Sequence, residues 1–491
     1  MRNRNIVLLA GLALVLAAVL LVGCGGAGSG QRRLSGGSAS VVIFGEDAPP
    51  PNCDVESFVA TITSASLVPQ SGGTAVSLIT SAAPATVDFA RLTDFSNILS
   101  MASVAPGTYT QFTMTLSNPQ LYVLNAATSP PTAQSVPVTL TANSLTLTIS
   151  PALVVTGTTT SGLVMDFDLG QSLQVNSSGQ ITGTVNPQIT VAASTNVGAT
   201  VGEATSLYGI IGTPGTANIP SGFTGSFPLA LHDGTGQTMT ILVNSSTVFD
   251  GDGATGFSGL TPATFAEVDA IVNTSGQIIA QTVDSEEQTS TINSKSAFLG
   301  KIVSVTRVAG NVTSFTLLVD DEIPDLSSTI PLESELNVTL EGTVHYFTNW
   351  QGWNVQDFTF GPATLGVAEK VAVFGTLQAG STLDADHIFL RPRSVLGNFT
   401  ALQVAGSDGV TGGFTMTPCG SLFGGQAMTV VTYSDTNFNG VSGLTGLTAT
   451  PTIDTTGVLF YLQTSGRAAT GATWTAPDWV MQARGVHQLP N

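Results

Sequence analysis

Acidic and amide side chains occur at a spacing that could bind a cation. Asp435, Asn437, Asn439 and Gly440 follow the D-x-[DN]-x-[DN]-G pattern of a calcium loop, in which clustered oxygens replace the water around the ion. The twelfth position of such a loop should be a bidentate glutamate, but here it is Gly446. Asp, Asn and Gly are also the preferred residues of turns. The sequence therefore leaves two interpretations, a calcium site at Asp435, Asn437 and Asn439 or a simple turn.

Aromatic residues are densest in the run HYFTNWQGWNVQDFTF at 345–360. Rings beside amide side chains can stack on the face of a sugar while the amides bond to its hydroxyls. The residues expected to form this ligand-binding surface are Tyr346, Trp350 and Trp353. The other interpretation is that the rings close a small core of their own, which is the commoner use of aromatic side chains.

Side chains for known catalytic arrangements are not grouped along the chain. The four histidines, at 232, 345, 387 and 487, are isolated, and no H-E-x-x-H, G-x-S-x-G or P-loop motif occurs. A triad that only folding assembles is invisible in a sequence, so a hydrolase is kept as a third hypothesis. We expect a non-catalytic protein without a cofactor.

The cysteine at position 24 ends a long apolar run. Residues 6–22 have no polar side chain and follow two arginines, which is the layout of a secretory signal. The run is shorter than the ~20 residues of a membrane-spanning helix. Its end, LVGC at 21–24, resembles the lipobox of bacterial lipoproteins. This resemblance implies a signal peptide at 1–23 and a lipid on the sulfur of Cys24.

The lipid would make the membrane a partner of the chain, because two or more acyl chains anchor a protein stably. Gly25, and not Asp, follows Cys24. By resemblance to enterobacterial lipoproteins, this implies an outer-membrane anchor in the bacterial cell envelope, on the periplasmic or the cell-surface side. Residues 24–40 are rich in Gly and Ser and are expected to be a tether.

Two further cysteines, Cys53 and Cys419, lie far apart in the sequence. An exported protein can join them in a disulfide, provided that its first and last domains touch. Two buried free thiols are the alternative, because Cys packs well as a small apolar residue.

Charged residues are scarce and mostly acidic. The formal net charge is −19, and 9% of residues are charged, against ~25% in typical globular domains. Nucleic acid is not an expected partner, because phosphate neutralisation requires clustered Lys and Arg. The 42% hydrophobic content in regular alternation favours packed sheets over disorder. An uncharged surface suits a protein or polysaccharide partner.

The first domain is predicted at 41–196, where apolar residues alternate with polar ones as in half-buried strands. One exception is 87–101, whose apolar spacing predicts a short helix. The pieces VVIFGEDAPP, VESFVATITSASLV, VDFARL and VAPGTYTQFTMTL resemble a bacterial family, domain of unknown function 4382. The resemblance implies a β-sandwich and assigns no activity.

Beyond residue 200, three sequence pieces recur, which predicts a repeat. Each unit opens on a strand with a central glycine; the openings are LYGII at 207, FLGKI at 298 and VLGNF at 395. Each continues with a second shared piece and closes on A-x-x-[VI]; the second pieces are TGSFPL at 224, VTSFTL at 312 and TGGFTM at 411. The predicted units are 206–291, 297–393 and 394–491, and the second contains the aromatic run as an insertion. The unit resembles domain of unknown function 5666 of exported bacterial proteins, which implies a small β-barrel.

These observations together predict an all-β fold, with an N-terminal β-sandwich followed by three small β-barrel-like repeat domains. We expect a lipid-anchored envelope or cell-surface protein that acts as a non-catalytic binding or structural module. Carbohydrate binding through residues 345–360 is the alternative.

The carbohydrate hypothesis predicts that Trp350→Ala with Trp353→Ala weakens retention on an insoluble polysaccharide by about 1–3 kcal/mol, because two stacking surfaces are lost. Affinity electrophoresis against envelope and commercial glycans measures this, and circular dichroism controls for folding. Unchanged retention of the folded double variant would rule out this surface.

Overall fold

The structure is a computed structural model. It describes residues 39–48, 50, 53–93, 96–231, 237–250, 254–285, 295–323, 330–348, 355–378, 381–448 and 452–489. The all-β prediction is confirmed, as is the order of a sandwich followed by small barrels. No helix in these ranges is long and apolar enough to cross a membrane.

The first module is the β-sandwich. Its strands are β1 (Ala39–Ala48), β2 (Val55–Pro69), β3 (Val76–Ile79), β4 (Ala85–Asp88), β5 (Asn97–Val104), β6 (Gly107–Asn125), β7 (Thr132–Val136), β8 (Thr139–Leu140), β9 (Ser144–Val155), β10 (Ser161–Asp168), β11 (Leu173–Val175), β12 (Ile181–Val185) and β13 (Ile189–Ala193). One helical turn, α1 (Leu169–Ser172), follows β10. Strands β8, β11 and β12 form a small separate sheet.

The two faces of the sandwich enclose one apolar core. One face has the order β5-β1-β10-β13, and the other has β3-β2-β6-β9, with β4 beside β2 and β7 beside β6. A parallel bridge between Ile149 and Val191 joins the faces along one side. The rings of Phe58, Phe89 and Phe167 meet at the centre, with centroids 4.5 to 6.3 Å apart.

Three barrels follow the sandwich in the described chain. Barrel 1 contains β14 (Thr200–Ile211), β15 (Gly225–Leu231), β16 (Thr238–Val243), β17 (Val248–Asp250), β18 (Phe265–Asn273) and β19 (Ile278–Ser285). Barrel 2 contains β20 (Ser296–Val308), β21 (Asn311–Ile323), β22 (Glu335–Thr339), β23 (His345–Phe347), β24 (Lys370–Gln378) and β25 (Thr382–Arg391). Barrel 3 contains β26 (Arg393–Ala405), β27 (Gly412–Pro418), β28 (Met428–Asn439), β29 (Thr452–Leu462) and β32 (Asp478–Gln488), with a small hairpin of β30 (Gly466–Arg467) and β31 (Thr473–Trp474).

The barrels share one connectivity. Setting aside the short strands β17 and β23 and the hairpin of β30 and β31, each barrel has five main strands. The first pairs antiparallel with the second and the fourth, and the third closes the barrel by pairing parallel with the fifth. The closing pairs are β16 with β19, β22 with β25 and β28 with β32. This is the Greek-key arrangement of OB-type barrels.

The glycine shared by the three openings lies where the first strand passes closest to the second. A Cβ atom at Gly209, Gly300 or Gly397 would lie within 3.0 Å of a carbonyl oxygen of the neighbouring strand. Small barrels need such tight bends to close, and glycine permits them because it has no side chain. The repeated glycine is therefore explained by barrel geometry.

The other two shared pieces also occupy equivalent places. Phe227, Phe315 and Phe414 on the second strands are all buried in their barrel cores. The closing-strand alanines lie opposite the residue that follows a bulge in the fourth strand; the pairs are Ala280 with Ala270, Ala385 with Gly375, and Ala483 with Gly457. The repeat detected in the sequence is thus a repeat of barrel-closing positions.

The helix expected at 87–101 is wrong. The structure has a single 3-10 turn at Phe89–Leu92, whose first turn is capped by the side chain of Asp88, and then the strand β5. In β5, Ile98 faces the core of barrel 1 and Leu99 faces the core of the sandwich. A strand buried on both faces has consecutive apolar residues, so its sequence lacks the alternation of a half-buried strand.

The sandwich contacts all three barrels. Its Ile98 is part of the core of barrel 1. Its Glu56 forms a salt bridge with Lys301 of barrel 2. Its Cys53 is bonded to Cys419, which follows the second strand of barrel 3. The modules are consecutive in the chain, but in space each of the three barrels contacts the sandwich.

Neighbouring barrels also pack against each other. Phe265 of barrel 1 lies 5.7 Å from Phe374 of barrel 2, measured between ring centroids. Phe358, in the segment between β23 and β24, stacks on Phe460 of barrel 3 at 5.1 Å. Apolar contact is therefore continuous from barrel 1 to barrel 3.

We predict that Gly300→Ala destabilises the protein by about 1–3 kcal/mol, because the new methyl group would overlap the Leu318 carbonyl and force the strands apart. The midpoint of thermal unfolding should fall by several degrees. Gly361→Ala in the same barrel is the matched control, since a Cβ there meets open space. Equal midpoints for the two variants would contradict the close-approach explanation.

Candidate functional site at the junction of three modules

A cavity of about 130 Å³ lies where the sandwich, barrel 2 and barrel 3 meet. Each of the three modules contributes charged side chains to its wall. The basic side chains that line it are Arg91, Lys301, Lys370 and Arg393, and the acidic ones are Asp54, Glu56 and Asp320. We call it the junction cavity.

Barrel 2 places two lysines side by side at the junction cavity. Strands β20 and β24 are antiparallel neighbours, and their register sets Lys301 directly opposite Lys370. Like charges in this position repel each other, because their Cβ atoms are about 5 Å apart. Glu56 of the sandwich forms a salt bridge with Lys301 and so compensates one of the two charges.

Lys370 differs from Lys301 in having no ion-pair partner. Its ammonium group forms no salt bridge or hydrogen bond within the described ranges. Burial lowers the pKa of its ammonium group to about 8, opposed by the carboxylate of Asp320 and reinforced by the positive charges of Arg91 and Lys301. The side chain is a cation held in an environment that disfavours its charge.

Arg393 has neutral partners. Its Nε donates to the carbonyl oxygen of Ser394 at 3.5 Å, and its Nη1 donates to the carbonyl oxygen of Ala368. The guanidinium lies over the ring of Phe423, 5.6 Å from the centroid. Burial lowers its pKa. Its side chain makes no ion pair within 4 Å among the residues that the structure describes.

The remaining charges of the junction come from the sandwich and from barrel 2. Arg91 is 3.1 Å from Asp88 and 3.7 Å from Asp321, measured between nitrogen and carboxylate oxygen. Burial, together with the negative charge of Asp320, raises the pKa of the Glu333 carboxyl to about 8. At this junction, the pKa values of Lys370 and Arg393 are lowered and that of Glu333 is raised.

A disulfide between Cys53 and Cys419 forms part of the cavity wall. Their Cα atoms are 5.7 Å apart, although the residues are 366 positions apart in sequence. Next to it, the backbone N–H of Ser421 donates to the carboxylate of Asp54 at 2.7 Å. The sequence left pairing and free thiols open, and the structure has the two sulfurs bonded.

The aromatic run at 345–360 is only partly described. The ring of Tyr346 is half-buried and meets Phe360 edge-on, with centroids 5.7 Å apart. Phe347 stacks on Phe389 at 4.6 Å. The described rings thus pack inside the protein. Trp350 and Trp353 lie outside the described residues, so carbohydrate binding through them stays a prediction.

The candidate calcium ligands lie along one strand. Asp435, Asn437 and Asn439 occupy alternate positions of β28, where Asn437 pairs with Gly485 and Asn439 with His487. Among the described residues, no group of three or more His, Cys, Asp or Glu side chains could hold a metal ion. The structure therefore sets these three residues along one strand, and a calcium site there stays a prediction.

The cavity residues were missed by the sequence analysis because they come from distant parts of the chain. One signal was available: the chain has only 13 Lys and Arg residues, and four of them line this cavity. Nothing local groups them, since they come from the 3-10 turn at Phe89–Leu92 and from the three strands β20, β24 and β26. Cys24, the expected lipid site, lies outside the described residues.

Comparison with known proteins identifies the first module alone. Residues 38–183 match the family "Domain of unknown function (DUF4382)", which agrees with the resemblance seen in the sequence. The match ends within the sandwich and does not reach the barrels. No curated protein matches the chain.

The raised pKa of Glu333 predicts a pH-dependent stability. The folded protein keeps this proton up to about pH 8, whereas the unfolded chain releases it near 4.5, so stability falls as the pH rises between these values. Glu333→Gln should remove this loss and raise the thermal midpoint, increasingly so from about pH 5 to pH 8.

Glu335→Gln is the control, because Glu335 is exposed on the adjacent strand. Thermal scans of both variants and the parent chain across this range make the comparison. A difference between Glu333→Gln and the parent that does not change with pH would contradict the assignment.

Proposed function

We propose that the chain is an exported lipoprotein of the bacterial envelope, anchored through acyl chains on Cys24, and that its sandwich and barrels form one non-catalytic binding or structural body. The observation that carries the proposal is the disulfide between Cys53 and Cys419. Disulfides persist in oxidising compartments such as the periplasm and the cell surface, and they are rare in the cytosol. The bond therefore supports export.

The contacts between modules support a single body. The sandwich is bonded covalently to barrel 3, ion-paired to barrel 2 and packed into the core of barrel 1. At the interface of barrels 1 and 2, Arg391 is 1% exposed and binds Asp284 at 3.2 Å as well as Glu267. Buried ion pairs of this kind fix one arrangement of the surfaces that they join. A body with fixed geometry suits a module that presents a surface or holds a spacing.

The non-catalytic part of the proposal is supported by the environment of the described histidines. His387 lies 2.7 Å from the carboxylate of Asp386, and its ring stacks between those of His345 and Phe347. Asp386 is also bound by Lys295 at 2.6 Å. This histidine is held by packing and by an ion-paired carboxylate, an arrangement that serves the fold.

We further propose that the barrels are relatives of domain of unknown function 5666. Their shared connectivity supports it, as do the glycine, phenylalanine and alanine positions that recur in each. A fold shared with other exported proteins carries no activity by itself, because one fold supports many functions.

The anchor predicts a defined mass at the N-terminus. The chain purified from envelopes should begin at Cys24 and bear a diacylglycerol with or without a further acyl group, measured by intact-mass and peptide mass spectrometry. Non-reducing digestion should recover Cys53 and Cys419 in one cross-linked peptide.

Metabolic labelling with a palmitate analogue shows which cysteine carries the lipid. Label should be lost in Cys24→Ala and kept when Cys53→Ser and Cys419→Ser are combined. A native chain that begins at Met1 without lipid would overturn the proposed location.

A further inference from the structure

Two basic groups of the junction cavity have no carboxylate within salt-bridge distance in the described ranges. The ammonium group of Lys370 forms no salt bridge there, and the guanidinium of Arg393 donates hydrogen bonds to carbonyl oxygens only. Both side chains are only partly exposed, and a cation withdrawn from water is costly unless a counter-charge accompanies it. Both line the same cavity.

We infer that the junction cavity binds a small tetrahedral oxyanion, phosphate or sulfate, between Lys370 and Arg393. This goes beyond the proposed envelope function and does not depend on the lipid anchor. It rests on the charges, the contacts and the size of the cavity.

The charge balance of the wall favours an anion. Glu56 is already paired with Lys301, and Asp54 accepts the backbone N–H of Ser421. Arg91 is held by Asp88 and Asp321, which are not part of the wall. The carboxylate of Asp320 acts on both Lys370 and Arg393, and that of Glu56 also acts on Arg393. The lining itself has four basic and three acidic side chains, so it has one more positive than negative charge.

The two cations differ in a way that suits an oxyanion. The guanidinium of Arg393 is fixed by the two carbonyl oxygens and by the ring of Phe423, and its Nη2 makes no hydrogen bond in the described part of the chain. A guanidinium presents donors in a rigid plane, which matches phosphate and sulfate oxygens. Lys370 adds a compact charge with rotatable donors from the neighbouring module.

The cavity volume of about 130 Å³ accommodates a small ligand such as a free phosphate or sulfate. The ligand would contact the sandwich, barrel 2 and barrel 3 at once, so it should stabilise their arrangement.

The carboxylate of Asp320 allows a test in which two kinds of substitution change anion binding in opposite directions. It lies on β21 and interacts with both cations. A bound anion would be attracted by Lys370 and Arg393 and repelled by Asp320. Removing a cation should weaken binding, and removing the Asp320 charge should strengthen it.

Binding of inorganic phosphate and sulfate to the full-length chain tests the inference. Thermal midpoints and isothermal titration calorimetry are measured in phosphate-free buffer with sodium phosphate, sulfate, acetate or chloride at equal ionic strength. Phosphate or sulfate should raise the midpoint saturably, because a ligand that binds only the folded state stabilises it. Lys370→Met should raise the dissociation constant at least about tenfold, since a charged hydrogen-bonding partner is lost.

Three further variants sharpen the test. Asp320→Asn should lower the dissociation constant, and Arg393→Gln should raise it. Arg467→Gln removes a positive charge from an exposed position and should bind like the parent chain. Lys370→Met decides the matter alone if Arg393→Gln does not fold, because Met keeps the apolar stem and relieves the repulsion with Lys301.

Two results would overturn the inference. The first is an equal effect of chloride or acetate at matched ionic strength, which would show general screening or carboxylate binding. The second is unchanged phosphate and sulfate binding in Lys370→Met. Binding of only one of the two oxyanions would support the inference and identify the ligand.

Discussion

Ion pairs buried between modules are the interaction on which the arrangement of this protein depends. The chain has few charges, and several of its basic residues lie at junctions: Arg391 between barrels 1 and 2, and Lys301 between barrel 2 and the sandwich. Removing such a charge from water is expensive, so it is tolerated only where a carboxylate meets it in good geometry. A shifted module would leave these charges unpaired. The pairs therefore select one arrangement, while the apolar contacts around them supply most of the favourable free energy.

Much of the fold could be predicted from the sequence because barrel closure imposes local requirements. A strand that passes a carbonyl closely needs glycine, and so Gly209, Gly300 and Gly397 recur in the first strand of each barrel. The buried phenylalanine and the alanine opposite the bulge recur for the same reason. Strand β5 was predicted incorrectly as part of a helix. Its two faces are covered by different modules, and no local sequence pattern contains that information.

The junction cavity could not be predicted, because its residues come together only through the packing of modules. Lys301 and Lys370 are brought opposite each other by the register of barrel 2, and Arg393 begins the next barrel. Glu56 belongs to the second strand of the sandwich. Sequence motifs record neighbours along a chain, whereas this site is made by segments that lie far apart in the sequence. By contrast, the aromatic run drew attention as a local cluster, and its described rings are used in packing.

The bond between Cys53 and Cys419 has a consequence for how the protein responds to a protease. It closes a covalent ring that contains most of the chain, including barrels 1 and 2. A protease that cuts any single exposed loop within this ring would open it without releasing a fragment. The nicked molecule would remain one covalent particle, and its halves would stay close enough to keep their contacts. Release of a fragment would require either a second cut within the ring or a reductant. The bond therefore gives the protein resistance to partial digestion.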